Sequence, residues 1–141
     1  MFKKFFNKKN QNDSDKKDFL IAALLVHAAK IDENYTKNEK EIIKKAIMSL
    51  YKINLDEAEN LLIEAEKIEE ESNQIIEFTK EIKKNSMEFR LKIIEILWKI
   101  VYSDGANDSF ESNLIRRVCG LLYVSDSDSG KIKMKIKELK S

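Results

Sequence analysis

The lack of helix-breaking residues limits what this chain can fold into more than any other feature. Its 141 residues include no proline and only three glycines. In a helix interior, proline costs about 3 kcal/mol and glycine about 1 kcal/mol relative to alanine. Lysine, glutamate, isoleucine and leucine dominate the chain instead, and each destabilises a helix much less than glycine or proline does. The composition therefore favours long helices.

Apolar residues recur at spacings of three and four, which places them on one face of a helix. The first such stripe begins after Asp18, and no segment shows the alternation of a strand. Asn54 and Glu57 have the spacing of a capping box, and Ser86 and Ser125 also precede apolar stripes. We predict an all-α bundle of about seven helices, formed by residues 18–141 after a flexible N-terminal tail, residues 1–17. The predicted helices after the first lie around 42–50, 54–68, 74–84, 86–101, 109–123 and from 125 onward.

The sequence also repeats with a shift of 72 positions. Core residues, acids and bases all match, which chance does not explain. We infer an internal duplication of helix hairpins, packed about a pseudo-twofold axis. The matched pairs are Asp32 with Asp104, Glu39 with Glu111, Ile43 with Ile115, Leu50 with Leu122, Tyr51 with Tyr123, and Lys44-Lys45 with Arg116-Arg117.

The charge balance and the single cysteine exclude several classes of protein. Lys and Arg number 26 and Asp and Glu 25, so the formal charge is +1 and no nucleic-acid partner is expected. One cysteine cannot form an internal disulfide, which favours the cytoplasm. No apolar run approaches the roughly 18 residues of a membrane span.

The first nine residues, MFKKFFNKK, are predicted to contact an anionic membrane surface peripherally. Phe2, Phe5 and Phe6 share a helical face and lie among lysines. The alternative is a tail that is disordered or folds onto its own domain.

Outside the loops, few residues are candidates for a catalytic or ligand-binding role. His27 is predicted to be partly buried and hydrogen-bonded, and Cys119 and Trp98 are predicted to pack in the core. The acidic run from Glu64 to Glu71 is interpreted as a solvated face, or at most as a surface that docks a protein. With no catalytic motif in the sequence, we expect a protein that is not an enzyme.

The segment YSDGANDSFESNLIRR, residues 102–117, concentrates acids between two helices. A capping box accounts for Asp108 and Glu111, as it does for Thr36 and Glu39 in the first unit. Two explanations remain open for Asp104 and its match Asp32, which lie where a helix dipole disfavours negative charge. Each carboxylate either braces its loop or joins the neighbouring acids around calcium, magnesium or manganese.

These segments resemble the TerB-like (tellurite resistance protein B) family. LWKIVYSDGANDSFESNLIRRVCGLLYVSDSD is similar to the second half of that family, and LLVHAAKIDENYTKNEKEIIKKAI to the first. The same fold is similar to a domain of membrane-anchored DnaJ-type co-chaperones. The resemblance implies a compact bundle of about seven helices with an internal duplication.

The resemblance also implies a function. TerB-like proteins are associated with tellurite resistance and chemical stress, bind divalent cations through acidic residues, and work near the membrane with partner proteins. By position, the implied metal ligands are Asp104, Asp108 and Glu111, with Asp32 and Glu39 in the first unit. The first loop lacks the family glycine, so the second loop is the better candidate. The expected function is a non-enzymatic adaptor, and the alternative is a cation-independent interaction or co-chaperone-like module.

Overall fold

Seven helices and no strand make up the regular structure of the described residues in the computed structural model. These residues are 13–31, 35–72, 74–103 and 109–140, without the side chains of 13–16, 109–112 and 140. The predicted all-α class and helix number are confirmed. The helices are α1 Asp13–Lys30, α2 Lys37–Tyr51, α3 Leu55–Glu71, α4 Ile75–Ile82, α5 Met87–Val101, α6 Ser109–Leu122 and α7 Asp126–Lys140.

The first helix begins at Asp13, five residues before the predicted start at Asp18. Residues 13–17 therefore belong to α1, although they were assigned to the N-terminal tail. The apolar stripe does not extend into this turn, so periodicity did not show it. Residues 1–12 lie outside the described part of the chain.

Side-chain caps fix where α3, α5 and α7 begin, at the positions predicted from sequence. The Asn54 carboxamide accepts a hydrogen bond from Glu57 N at 2.8 Å, and Glu57 returns one to Asn54 N. Ser86 Oγ accepts from Phe89 N at 3.2 Å. Such caps satisfy backbone amides that have no partner within the helix.

Helix α1 lies at the centre of the bundle. Every residue from Phe19 to Val26 is buried, so this stretch has no solvent-facing side. It packs against α2, α3, α4 and α5. A helix that is apolar on all sides must be surrounded by other elements. Trp98 and Cys119 are buried in the same core, as predicted.

The internal repeat extends to a third helix in each unit, beyond the predicted hairpins. Lys52 after α2 and Tyr123 after α6 both have positive φ, 53° and 58°. Ile53 N then bonds Met48 O, as Val124 N bonds Cys119 O, which is the hydrogen bond of a left-handed helix end. These residues match at a shift of 71, and the same shift pairs Leu61 with Ile132 and Ala65 with Ile136 in α3 and α7. Helix α6 is therefore one residue shorter than α2, with 14 residues against 15.

Helix α4 has no counterpart in the repeat. It packs against α1 and α6. On the opposite side of the bundle, the equivalent helices α5 and α2 pack directly against each other. The equivalent helices α1 and α5 also contact each other, which is compatible with the predicted pseudo-twofold arrangement. The duplicated bundle is thus asymmetric, with an inserted helix on one side.

Candidate functional site

Two acid-rich segments connect helices: the first acidic connection is residues 31–36, between α1 and α2, and the second is residues 102–108, between α5 and α6. The first connection ends in a complete capping box at the start of α2. Thr36 Oγ accepts a hydrogen bond from Glu39 N at 3.0 Å. In return, Glu39 Oε1 accepts from Thr36 N at 2.8 Å and from Thr36 Oγ at 3.2 Å. Glu39 is 1% exposed. The predicted capping role of Thr36 and Glu39 is therefore confirmed, and it holds this carboxylate inside the fold.

The other predicted metal ligands lie outside the described residues. This applies to Asp32, Asp104 and Asp108, and to the side chain of Glu111, whose backbone belongs to α6. The predicted capping box from Asp108 to Glu111 falls in the same region. The five-residue metal set stays a prediction.

A hydrogen bond joins the borders of the two acidic connections. Asn38 Nδ2, in the first turn of α2, donates to the carbonyl oxygen of Ser103 at 3.2 Å. Ser103 directly follows α5 and directly precedes Asp104 in the sequence. Asn38 lies beside Glu39. The residues that border both connections therefore meet at one end of the bundle.

A buried carboxylate near the same end ties α1 to α3. Glu69 is 6% exposed. Its Oε1 accepts a hydrogen bond from Lys30 Nζ at 2.8 Å, and its Oε2 lies 3.0 Å from Nδ1 of His27. An ionised carboxylate only accepts hydrogen bonds, so Nδ1 carries the proton in this pair. His27 is thus partly buried and hydrogen-bonded, as predicted.

The two basic partners keep Glu69 ionised although it is buried. Burial alone raises the pKa of this carboxyl, but the hydrogen bonds from Lys30 and His27 outweigh it and lower the pKa below its ordinary value. The hydrogen bond to Glu69 likewise raises the pKa of Lys30. A buried charge with such partners avoids the cost of isolation.

A second carboxylate of α3 binds the residues just before α2. Glu66 Oε2 accepts a hydrogen bond from the Tyr35 hydroxyl at 2.7 Å and lies 3.8 Å from Lys40 Nζ. Lys40 Nζ also lies 4.9 Å from the centre of the Tyr35 ring. Burial, followed by the hydrogen bond to Glu66, raises the pKa of Tyr35. The phenol therefore stays protonated and serves as a donor.

These contacts correct the interpretation of the acidic run as a solvated face. Glu70 and Glu71 are exposed and Glu64 is half-buried, as a solvated face requires. Glu69, however, is buried, and Glu66 accepts a hydrogen bond from Tyr35. The sequence contained a signal for Glu69. It continues the stripe of Ala58, Leu61, Leu62 and Ala65 at helical spacing, so a charge there requires a buried partner.

Chemically, the described residues form a brace between helices. Within the described ranges, no group of three or more His, Cys, Asp or Glu side chains is arranged to hold a metal ion. None of the described helices has the length and apolarity needed to cross a membrane. Three described acids near the first connection have such partners: Glu69 contacts His27 and Lys30, Glu66 contacts Tyr35, and Glu39 contacts Thr36.

Comparison with known proteins identifies the family. The family model described as "Tellurite resistance protein TerB" matches residues 18–134, which include most of the helical bundle. No curated protein and no solved structure matches the chain. The matched range includes both acidic connections, α1 from residue 18 onward, and the whole of α2 and α3. With a match over most of its length and an all-α fold built from a duplicated unit, this chain belongs to the TerB family of tellurite-resistance-type helical domains.

Proposed function

We propose that this TerB domain is a non-enzymatic adaptor in a tellurite-resistance or chemical-stress response. In this proposal, it binds a divalent cation through its acidic connections and docks a partner protein near the membrane. The observation that carries the proposal is the hydrogen bond from Asn38 to Ser103 O. It holds together the borders of two segments that are rich in acids, so a ligand bound by one is close to the other.

The donor chemistry of the predicted residues fits a hard cation. Asp32, Glu39, Asp104, Asp108 and Glu111 offer only carboxylate oxygens, which suit calcium, magnesium or manganese. Glu39 Oε1 already accepts two hydrogen bonds from Thr36. The second connection, with Asp104, Asp108 and Glu111, is therefore the better place for the ion.

One observation favours a second candidate, a cation-independent interaction or co-chaperone-like module. The Glu39 carboxylate is buried in a complete capping box, which gives it a structural role without any ion. If Asp104, Asp108 and Glu111 act in the same way, all five acids only brace the connections. The two candidates differ in how the domain responds to divalent cations.

A metal-dependent thermal melt separates the two candidates. Wild type, Asp104→Asn and the control Asp56→Asn are each melted with EDTA and with millimolar calcium, magnesium or manganese. Asp56 is an exposed acid in the first turn of α3, away from both connections. Since a ligand that binds only the folded state stabilises it by mass action, the adaptor proposal expects one cation to raise the melting temperature. Asp104→Asn abolishes that rise, whereas Asp56→Asn keeps it.

The cation part of the proposal fails if none of the three ions shifts the wild-type melt. It also fails if Asp104→Asn shows the same shift as wild type. An equal loss of stability for Asp104→Asn in EDTA and in metal supports the bracing role.

Membrane contact is a separate part of the proposal. Its support is the sequence of residues 1–9, in which phenylalanines lie among lysines. Flotation with vesicles containing phosphatidylserine, compared for the full chain and a chain lacking residues 1–9, tests it. Flotation of both proteins, or of neither, removes the role assigned to these residues.

A further inference from the structure

An open groove lies between α2 and α5. Its volume is about 330 Å³. The floor is apolar and consists of Ile42, Ala46 and Leu50 of α2 and Ile96 of α5. The three α2 side chains are half-buried. Apolar side chains left partly open to solvent along one cleft are typical of a surface that binds a partner.

The internal repeat supplies a counterpart to this groove. At the shift of 72, Ile42, Ala46 and Leu50 correspond to Leu114, Val118 and Leu122 of α6, and Ile96 corresponds to Leu24 of α1. The counterpart is therefore the cleft between α6 and α1. Helix α4 packs against both of these helices, whereas α2 and α5 contact each other directly and leave only the open groove along their line of contact.

The filled cleft shows what kind of element fits this geometry. Helix α4 has eight residues and buries Ile75, Phe78, Thr79 and Ile82, which share one face. The Phe78 ring lies in edge contact with His27 of α1, with ring centres 6.5 Å apart. His27 corresponds to Lys99, which lines the open groove. A short amphipathic helix is thus the occupant that this fold already accepts in the equivalent place.

The apolar residues of the two clefts differ in burial, as expected if a helix covers only the cleft between α1 and α6. Leu114, Val118 and Leu122 are 5% exposed or less. Their matches Ile42, Ala46 and Leu50 are all more exposed. A helix laid into the α2–α5 groove would remove this apolar surface from water, which is the usual driving force for helix-in-groove binding.

The charge around the groove indicates the chemistry of the occupant. Lys45, Lys92 and Lys99 line it together with a single acid, Glu95. Glu95 is paired with Lys99 at 3.3 Å. Within the described part of the chain, Lys45 and Lys92 form no ion pair, and both are exposed. An acidic ligand is therefore complementary, whereas the lysine-rich residues 1–9 of this chain carry the wrong sign.

We propose that the α2–α5 groove docks a short amphipathic helix of a partner protein, with apolar residues on one face and acidic residues flanking that face. Such a helix would lie across α2 and α5 as α4 lies across α1 and α6. The proposal deepens the adaptor function proposed above by naming the docking surface and the chemistry of the partner.

A designed probe tests the groove without knowledge of the natural partner. The probe is a hydrocarbon-stapled peptide with isoleucine, phenylalanine and isoleucine spaced as Ile75, Phe78 and Ile82, and with glutamates flanking this face. A second peptide carries lysines in place of the glutamates. Stapling is needed because short isolated helices are marginal in water. Each peptide is titrated into the full chain, and backbone amide shifts locate the binding surface by NMR.

We expect the glutamate peptide to shift amides of α2 and α5 and to bind more tightly than the lysine peptide. Reversing two rim charges, Lys45→Glu with Lys92→Glu, should weaken the glutamate peptide about tenfold and reverse the preference. The matched control, Lys80→Glu with Lys131→Glu, changes two exposed lysines on α4 and α7 and should bind as wild type does. Ala46→Arg, which fills the floor, should abolish the shifts.

Several results would overturn the proposal. These are shifts located outside α2 and α5, equal binding of the two peptides, and no binding of either peptide at millimolar concentration. Contacts from residues 1–12 or from a second copy in the free protein's groove, seen as nuclear Overhauser effects, would assign it to another occupant. The titration is run both in EDTA and in calcium, so peptide binding can be detected even if the domain binds no cation. If no peptide binds, the metal-dependent melt still tests the cation part of the proposed function independently.

Discussion

Lys30 Nζ donates to Glu69 Oε1 at 2.8 Å, and this ion pair joins the end of α1 to the end of α3. Glu69 is almost fully buried, whereas the Lys30 side chain is about one-third exposed, with a relative exposure of 32%. The lysine therefore reaches the buried acid from the surface. Together with His27, it sets the position of α3 against the residues that lead into the first acidic connection.

Replacing Glu69 tests how much this contact stabilises the bundle. Glu69→Gln keeps the size of the side chain but removes its charge, so the hydrogen bonds from Lys30 and His27 weaken. We expect the free energy of unfolding in urea to fall by about 1 to 2 kcal/mol, a moderate value because Lys30 is partly solvated. Glu70→Gln, one residue along and exposed, should change it by less than about 0.5 kcal/mol. Equal effects of the two changes would show that Glu69 has no special role.

The same carboxylate should make stability depend on pH in the acid range. The folded pKa of Glu69 lies below its ordinary value of 4.5. As pH falls below that ordinary value, the unfolded chain takes up the proton first, so the contribution is lost progressively as pH falls through the folded pKa. Urea unfolding at a series of pH values should show this loss in wild type and a smaller loss in Glu69→Gln. Identical pH profiles would contradict the assignment.

The capping box at the start of α2 provides a second stability test. Thr36→Ala removes the oxygen that accepts from Glu39 N, and we expect a loss of about 1 kcal/mol. Thr36→Ser retains that oxygen and should lose much less. Thermal or urea unfolding of the three proteins checks the order. A fully stable Thr36→Ala would mean that the box does not hold this helix end in solution.

Removing the buried Tyr51 hydroxyl is expected to stabilise the protein. Its oxygen is buried and has no hydrogen-bond partner among the described residues. Burial, followed by the nearby charge of Asp18, raises the pKa of Tyr51. Tyr51→Phe removes a buried polar group without leaving another unpaired, so we expect a gain of up to about 1 kcal/mol. Tyr123→Phe, a control at an exposed tyrosine, should be neutral. A clear loss of stability for Tyr51→Phe would show that the Tyr51 hydroxyl has a hydrogen-bond partner in solution.

The single tryptophan reports the docking of α7 on α5. Trp98 Nε1 donates to Ser129 Oγ at 3.1 Å, and Lys133 Nζ lies 5.0 Å from the centre of the ring. Ser129→Ala leaves the indole N–H buried without this acceptor, which should cost about 1 to 3 kcal/mol. Acrylamide quenching of Trp98 fluorescence should increase at the same time. Ser127→Ala, an exposed serine in the same helix, is the control.

Local sequence patterns were sufficient for the helices and most of their boundaries. Asn54, Ser86 and Ser125 start helices where the spacing to the next residues predicts a cap, because the hydrogen bonds involved span only three residues. The start of α1 was missed because its first turn has no apolar stripe. The extension of the repeat to a third helix was also missed, because α6 is one residue shorter than α2 and the shift changes from 72 to 71.

The contacts of the candidate site were predictable only where they join residues close together in the sequence. The Thr36–Glu39 box follows from spacing alone, and the structure confirms it. Glu69 meets Lys30 and His27 across about forty residues of chain, and no local pattern names those partners. Asp32, Asp104, Asp108 and Glu111 stay predicted metal ligands.

By itself, the sequence determined an all-α, duplicated TerB domain, since helix propensity, apolar spacing and caps act over a few residues. Only the tertiary structure decided which acids are buried and which cleft is open. Those outcomes depend on where α3 and α4 dock, and docking is decided by the fit of whole helix faces. The insertion of α4 on one side fills the cleft between α1 and α6 and leaves the matching α2–α5 groove open.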